Sequence, residues 1–116
     1  MYAYVLVRTD ISLAQQIVQV GHACLEAGRW FVWPDTPCNL VVLSVANVSD
    51  LQAAIERIQL AEVRIALFYE PDHQLGLTAA CTEPISGAFR RLFRRFPLWN
   101  TDGASSARGP PHPVFS

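Results

Sequence analysis

Tyr2–Arg8 (YAYVLVR), followed by Thr9-Asp10-Ile11-Ser12 and then by LAQQIVQVGHA from Leu13 to Ala23, is the passage on which the fold turns. The first seven residues are β-branched, aromatic and almost continuously apolar. That pattern predicts a strand buried on both faces, as at the centre of a sheet. Ser12 with Gln15 three residues later fits a capping box, so a helix is expected from Leu13 to about Phe31. Leu13, Ile17, Val20, Cys24 and Ala27 make one apolar stripe at helical spacing, while Gln15, Gln19, His22 and Glu26 make a second stripe on another face.

Outward from this passage the elements alternate. Trp33-Pro34-Asp35-Thr36-Pro37 predicts a rigid turn, Asn39–Ala46 a second strand, and Asp50–Leu60 a helix whose start is read from Ser49 and Gln52 as another capping box. Val63–Glu70 predicts a third strand ended by Pro71, which has no N–H for the ladder. Gly76–Glu83 predicts a fourth strand, and Ile85–Phe96 a last helix with Phe89, Leu92, Phe93 and Phe96 on one face and arginines outside. The order β-α-β-α-β-β-α predicts an α/β domain: a small mixed sheet of about four strands covered by helices. The β-α-β passages favour parallel pairs with right-handed crossovers, and the short link between strands three and four favours an antiparallel hairpin. Residues 1–99 are expected to form this domain, and the Gly-, Ser- and Pro-rich residues 100–116 a flexible tail.

Composition narrows the function. The 116 residues are 51% hydrophobic and 16% charged, which suits one packed domain. No apolar run reaches the roughly 20 residues of a membrane helix, and the start carries no signal-peptide pattern. Cys24, Cys38 and Cys81 are odd in number and lack a C-x-x-C pair, so a reducing, cytoplasmic setting is expected. The three His and three Cys show no ligand spacing, and no metal or other cofactor is expected. All nine basic residues are arginine, so lysine chemistry is excluded. Arg90, Arg91, Arg94 and Arg95 fall together, and guanidinium groups suit phosphate oxygens.

Val7–Ala23 resembles the type 2 (archaeal/eukaryotic-type) peptidyl-tRNA hydrolases, in which a strand ending R-x-D-L precedes a helix carrying K-I-A-A-Q-x-G-H-A. The matching residues are Arg8-Thr9-Asp10 and Gln19-Val20-Gly21-His22-Ala23. The family's later turn, roughly D-A-G-x-T, finds its counterpart in Asp72, Gly76, Leu77 and Thr78, with extra residues between Asp and Gly. The order of elements agrees over about residues 2 to 85. Two departures stand out. The stretch between Asp10 and Gln19 is shorter than the family's, and Gln15 stands where the family has a functional lysine. The resemblance implies an esterase for the bond between a peptide and the 3′ ribose of tRNA, working by direct water attack without a cofactor. It also implies tRNA as partner and pairing into a homodimer.

Such a reaction needs a positioned water, a proton acceptor and an oxyanion donor. Asp72 is the first candidate to activate the water; its bland role is a solvent-facing loop carboxylate. His22 suits proton transfer, or a structural hydrogen bond within its helix. Gln15 can donate to a carbonyl or phosphate, or serve only the capping box. Gln19, Thr78 and Asp10 are candidate substrate-binding residues; Asp10 equally suits an ion pair with Arg8. Arg90, Arg91, Arg94 and Arg95 are candidate RNA-binding residues, or a solvated helix face. Trp30, Trp33 and Trp99 can stack on a terminal adenine or, more commonly for Trp, pack. Cys24 and Cys81 read as core. The alternatives to an enzyme are a catalytically inactive RNA- or protein-binding module that keeps the fold, or a self-associating domain using apolar surface around Phe89, Phe93 and Trp99.

Overall fold

A computed structural model describes residues 1–101. The elements are β1 (Tyr2–Arg8), α1 (Leu13–Trp30), β2 (Asn39–Val45), α2 (Val48–Leu60), β3 (Ile65–Glu70), β4 (Gly76–Thr82) and a short α3 (Arg90–Phe93). The expected α/β architecture is present: one four-stranded mixed sheet in the order β2-β1-β4-β3. β1 pairs with β2 in parallel and with β4 antiparallel, and β3 pairs antiparallel with β4. The second β-α-β passage makes no parallel pair, because β4 occupies the free side of β1 and leaves β3 at the far edge.

The central position of β1 accounts for its composition. Ala3, Val5 and Val7 pack on one face with Ala23 and Ala27 of α1, whereas Tyr4 and Leu6 pack on the other with Leu51, Ala54, Ile55 and Ile58 of α2. The helices therefore cover opposite faces, and a strand buried on both has no use for alternating polar residues.

Four local expectations are corrected. α2 begins at Val48, because the Asn47 side chain, not Ser49, caps it by accepting from Asp50 N at 2.9 Å. On α1 the face turned to the sheet carries Gln16, Gln19, Ala23 and Ala27, while Leu13 and Ile17 stand 45% and 58% exposed. The opposing sheet surface is small, with Ala3 and Ala79, so the helix approaches closely and its buried amides reach partners on other segments.

The helix expected over Ile85–Phe96 shrinks to a 3₁₀ turn at Gly87–Phe89 and α3. Ile85 is extended instead, since its N–H and C=O exchange hydrogen bonds of 2.8 Å with Tyr2. The apolar surface expected around Phe89, Phe93 and Trp99 is largely inside: Phe93 and Trp99 are only 3% and 6% exposed. Phe93 stacks on Tyr4 with ring centroids 3.8 Å apart.

Pro97–Trp99 runs along the free edge of β2. Ser44 N donates to Pro97 O and Trp99 N donates to Val42 O, each at 2.9 Å. An edge whose groups are partly taken up in this way is a poorer template for another strand. The Trp99 indole N–H donates to Gln16 Oε1 at 2.7 Å, and Gln16 Nε2 donates to Ile11 O at 2.8 Å. Gln16 thus ties the C-terminal segment to the loop before α1. Among the described residues no helix is long and apolar enough to cross a membrane. The expected tail lies outside the described residues from residue 102 onward.

Trp99→Phe strands the Gln16 carbonyl oxygen inside the protein and is expected to cost about 1–3 kcal/mol in urea unfolding. Leu13→Ser, on the exposed flank of α1, is expected to change stability by no more than about 0.5 kcal/mol. Equal losses for the two would contradict the observed helix orientation.

Candidate active site

Gln19 is 0% exposed in the middle of α1, and its amide is fully used. The carbonyl oxygen accepts from Thr78 Oγ1 at 2.8 Å. The NH2 group donates to Gln15 Oε1 at 3.0 Å, one turn back, and to Glu70 Oε1 at 3.1 Å. One side chain therefore joins the first helix to the β3–β4 hairpin. A buried amide in this position must find such partners, because leaving a donor or acceptor dry costs about 1–3 kcal/mol.

Thr78 reaches Gln19 through an irregularity in the sheet. Phe68 pairs with Ala79 and Tyr69 with Leu77, so Thr78 is an extra residue in β4 with no partner opposite. The bulge resets the alternation: Leu77 packs with the α2 side and Ala79 with the α1 side, while Thr78 bonds Gln19 of α1. Bulges re-aim side chains in this manner and are common beside functional sites. Thr78 itself is fully buried.

Arg8 joins the same two parts of the chain at the backbone. Its Nε and Nη2 donate to the two oxygens of Asp10 at 2.6 and 2.8 Å. Its Nη1 donates to Leu75 O at 2.9 Å and to Leu77 O at 3.2 Å. The loop between β3 and β4 is thus held at its far end by Arg8 and at its near end by the Gln19–Glu70 bond. His73 and Gln74 in this loop take left-handed φ of 56°, and Gly76 takes 66°. Glycine adopts such a φ at little cost, whereas the other two depend on the anchored loop ends.

Gln15, Gln19 and Thr78 come together, and Glu70 joins them. Asp10 sits apart from this cluster in its ion pair with Arg8, which holds its carboxyl below the usual carboxylate range. Asp72 follows Glu70 by two residues, exposed in a short 3₁₀ turn, and Glu70 rather than Asp72 supplies the carboxylate that Gln19 binds. His22, one turn beyond Gln19, is half-buried and stacked on Phe68 with ring centroids 4.3 Å apart.

Glu70 is a partner of Gln19 that the motif spacing does not single out. Its place at the carboxyl end of β3, immediately before the strand-ending Pro71, was the available signal. The three indole N–H groups all donate within the protein: Trp30 to Glu26, Trp33 to Ala27 O and Trp99 to Gln16. Cys81 is buried in the core, where its hydrogen bond to Cys24 and burial push its thiol up and out of nucleophilic chemistry at neutral pH. Among the described residues no group of His, Cys, Asp and Glu could hold a metal ion.

Chemically, the cluster offers a half-buried carboxylate and a half-buried amide above a fully buried floor. Glu70 Oε1 and Gln15 Oε1 accept from the same NH2 group, which spaces them roughly 5 Å apart. Gln15 accepts through its oxygen, and among the described residues no acceptor takes up its NH2.

The four C-terminal arginines are exposed but do not form one helix face. Arg90 and Arg94 line a cleft with Tyr2 and Phe93, and Arg95 lines a different one, because α3 is a single turn long. No family model matches the chain, and no curated protein matches it in sequence.

The Arg8–Asp10 pair makes a pH-dependent contribution to stability. Asp10 has a lowered pKa in the folded protein, so the contribution is present above the unfolded value of about 3.9 and disappears as pH falls through the folded value. Asp10→Asn is expected to lower Tm at pH 7, and that loss to shrink steadily as pH falls below about 3.9, in thermal melts followed by circular dichroism.

Proposed function

We propose that this chain is a peptidyl-tRNA hydrolase-like esterase, acting on an acyl group carried at the 3′ end of tRNA by water attack without a cofactor. One observation carries the proposal. The two segments that resemble the family, Arg8–Ala23 and the Asp72–Thr78 turn, meet in space through the bonds of Gln19 to Thr78 and of Arg8 to Leu75 and Leu77. Residues far apart in the chain gain nothing from shared motif spacing unless they build one site.

In this reading Glu70 is the general base. It takes a proton from water as the water oxygen forms a bond to the ester carbonyl carbon. The Gln15 NH2 donates to the oxyanion that develops. As the tetrahedral intermediate collapses, the bond to the 3′ ribose oxygen breaks, and that oxygen receives the proton back from Glu70. The products are free tRNA and a peptide carboxylic acid, which loses its proton to solvent as a carboxylate. Gln19 and Thr78 hold the two reacting side chains in place, and Asp72 faces the incoming water from the loop. His22 and Phe68 wall the site. Arg90, Arg91, Arg94 and Arg95 follow the phosphate backbone of the acceptor stem. Arg8 and Asp10 keep the loop anchored and touch no substrate.

The runner-up is an inactive RNA- or protein-binding module on the same fold. The absence of any lysine favours it, since Gln15 supplies a dipole where an ammonium would supply a full charge.

Release of peptide from a model peptidyl-tRNA separates the two readings. The wild type should turn over, Glu70→Gln should lower kcat by roughly 10²–10⁴-fold with its fold intact, and Gln15→Lys should raise kcat. Salt-sensitive RNA binding with no turnover in either the wild type or Gln15→Lys would establish the module instead. A loss in Asp72→Ala but not in Glu70→Gln would move the base to Asp72.

A further inference from the structure

β1 is followed by α1 on one face of the sheet, and its parallel neighbour β2 is followed by α2 on the other. Where the chain leaves adjacent parallel strands toward opposite faces, a crevice opens at their carboxyl ends, and ligands of open α/β sheets bind in such crevices. A cleft of about 580 Å³ lies at this point. Its floor is Thr9 after β1, and Ser44, Val45 and Ala46 at the end of β2. This volume falls within the range of small-molecule sites.

The walls are chemically specific. α2 contributes Asp50, Ala53, Ala54 and Arg57, four residues of one helical stripe in which the two alanines leave the space open. Arg95, beside Phe96 and Pro97, lines the same cleft from the segment after α3. Among the described residues neither Arg57 nor Arg95 is paired with a carboxylate. Two guanidinium groups on one cleft attract an anion, and guanidinium groups match the geometry of a phosphate. Among the described residues Asp50 is the single carboxylate in the lining, and a carboxylate accepts hydrogen bonds from hydroxyl groups.

We propose that this cleft binds a sugar phosphomonoester, with Arg57 and Arg95 on the phosphate and Asp50 on the sugar hydroxyls. The site shares no residue with the Gln15–Gln19–Glu70–Thr78 cluster; Arg95 is the one residue it has in common with the acceptor-stem arginines of the hydrolase reading, and the cleft itself does not depend on that reading. A free sugar phosphate and the 5′-phosphorylated end of an RNA present the same group.

Amide NMR of the full chain, titrated with ribose 5-phosphate at constant ionic strength, tests it. Saturable shifts are expected at Ala46, Ala53 and Ala54, with ribose alone giving none. Arg57→Gln and Arg95→Gln should each weaken binding about tenfold or more, whereas Arg91→Gln, which lines no part of this cleft, should not. Asp50→Asn should weaken ribose 5-phosphate but not inorganic phosphate. A 5′-phosphorylated oligoribonucleotide that shifts the same amides, beside a dephosphorylated one that does not, identifies an RNA end as a source. An oligonucleotide that leaves them unmoved supports the free sugar phosphate. Shifts equal to those from sodium chloride, or equal weakening by Arg91→Gln and Arg57→Gln, would overturn the proposal.

Discussion

A glutamine amide with no access to water must have every donor and acceptor satisfied by protein, and Gln19 meets that demand across three segments. The requirement is geometric as well as energetic. Thr78 can supply the hydroxyl only because an extra residue in β4 turns it toward α1, and Glu70 can supply the carboxylate only at the end of β3. The bulge, the end of β3 and the orientation of α1 are therefore linked. Low local dielectric strengthens the bonds when all are made and raises the penalty when one is missing. No buried side-chain nitrogen or oxygen among the described residues lacks a partner.

Gln16 plays the corresponding role toward the other edge of the sheet, beside β2. It connects the loop before α1 with Trp99 and so holds Pro97–Trp99 against the edge of β2. Two adjacent turns of one helix thus organise both edges of the sheet with amides, while Ala23 and Ala27 supply close apolar contact beyond them. The consequence is an α1 whose Leu13 and Ile17 face outward.

Much of the architecture was legible because the relevant signals are local. β1 is apolar on both faces because it is central, Ser12 accepts from Gln15 N as a cap should, and Pro71 ends β3. The inward face of α1 was not legible. Apolar periodicity favours Leu13 and Ile17, whereas the buried side chains are amides whose main partners lie more than fifty residues away. The last helix was overestimated for a related reason: the spacing of Phe89, Phe93 and Phe96 is helical, but Tyr2 captures the backbone of Ile85 and draws the segment into an extended form. In the candidate site, Gln15, Gln19 and Thr78 stand out through a family resemblance. The bond of Glu70 to Gln19 depends on the register of the hairpin, and its place at the end of β3 is the one local sign of it.

The central claim is that the Gln19 amide couples α1 to the bulged hairpin. A double-mutant cycle in urea, with Gln19→Leu and Thr78→Val alone and together, measures that coupling directly. A coupling of about 1 kcal/mol or more is predicted: Thr78→Val strands the Gln19 carbonyl oxygen, Gln19→Leu leaves the Thr78 hydroxyl only its longer 3.4 Å bond to Phe68 O, and the double change removes both groups. Additivity within about 0.3–0.5 kcal/mol would contradict it.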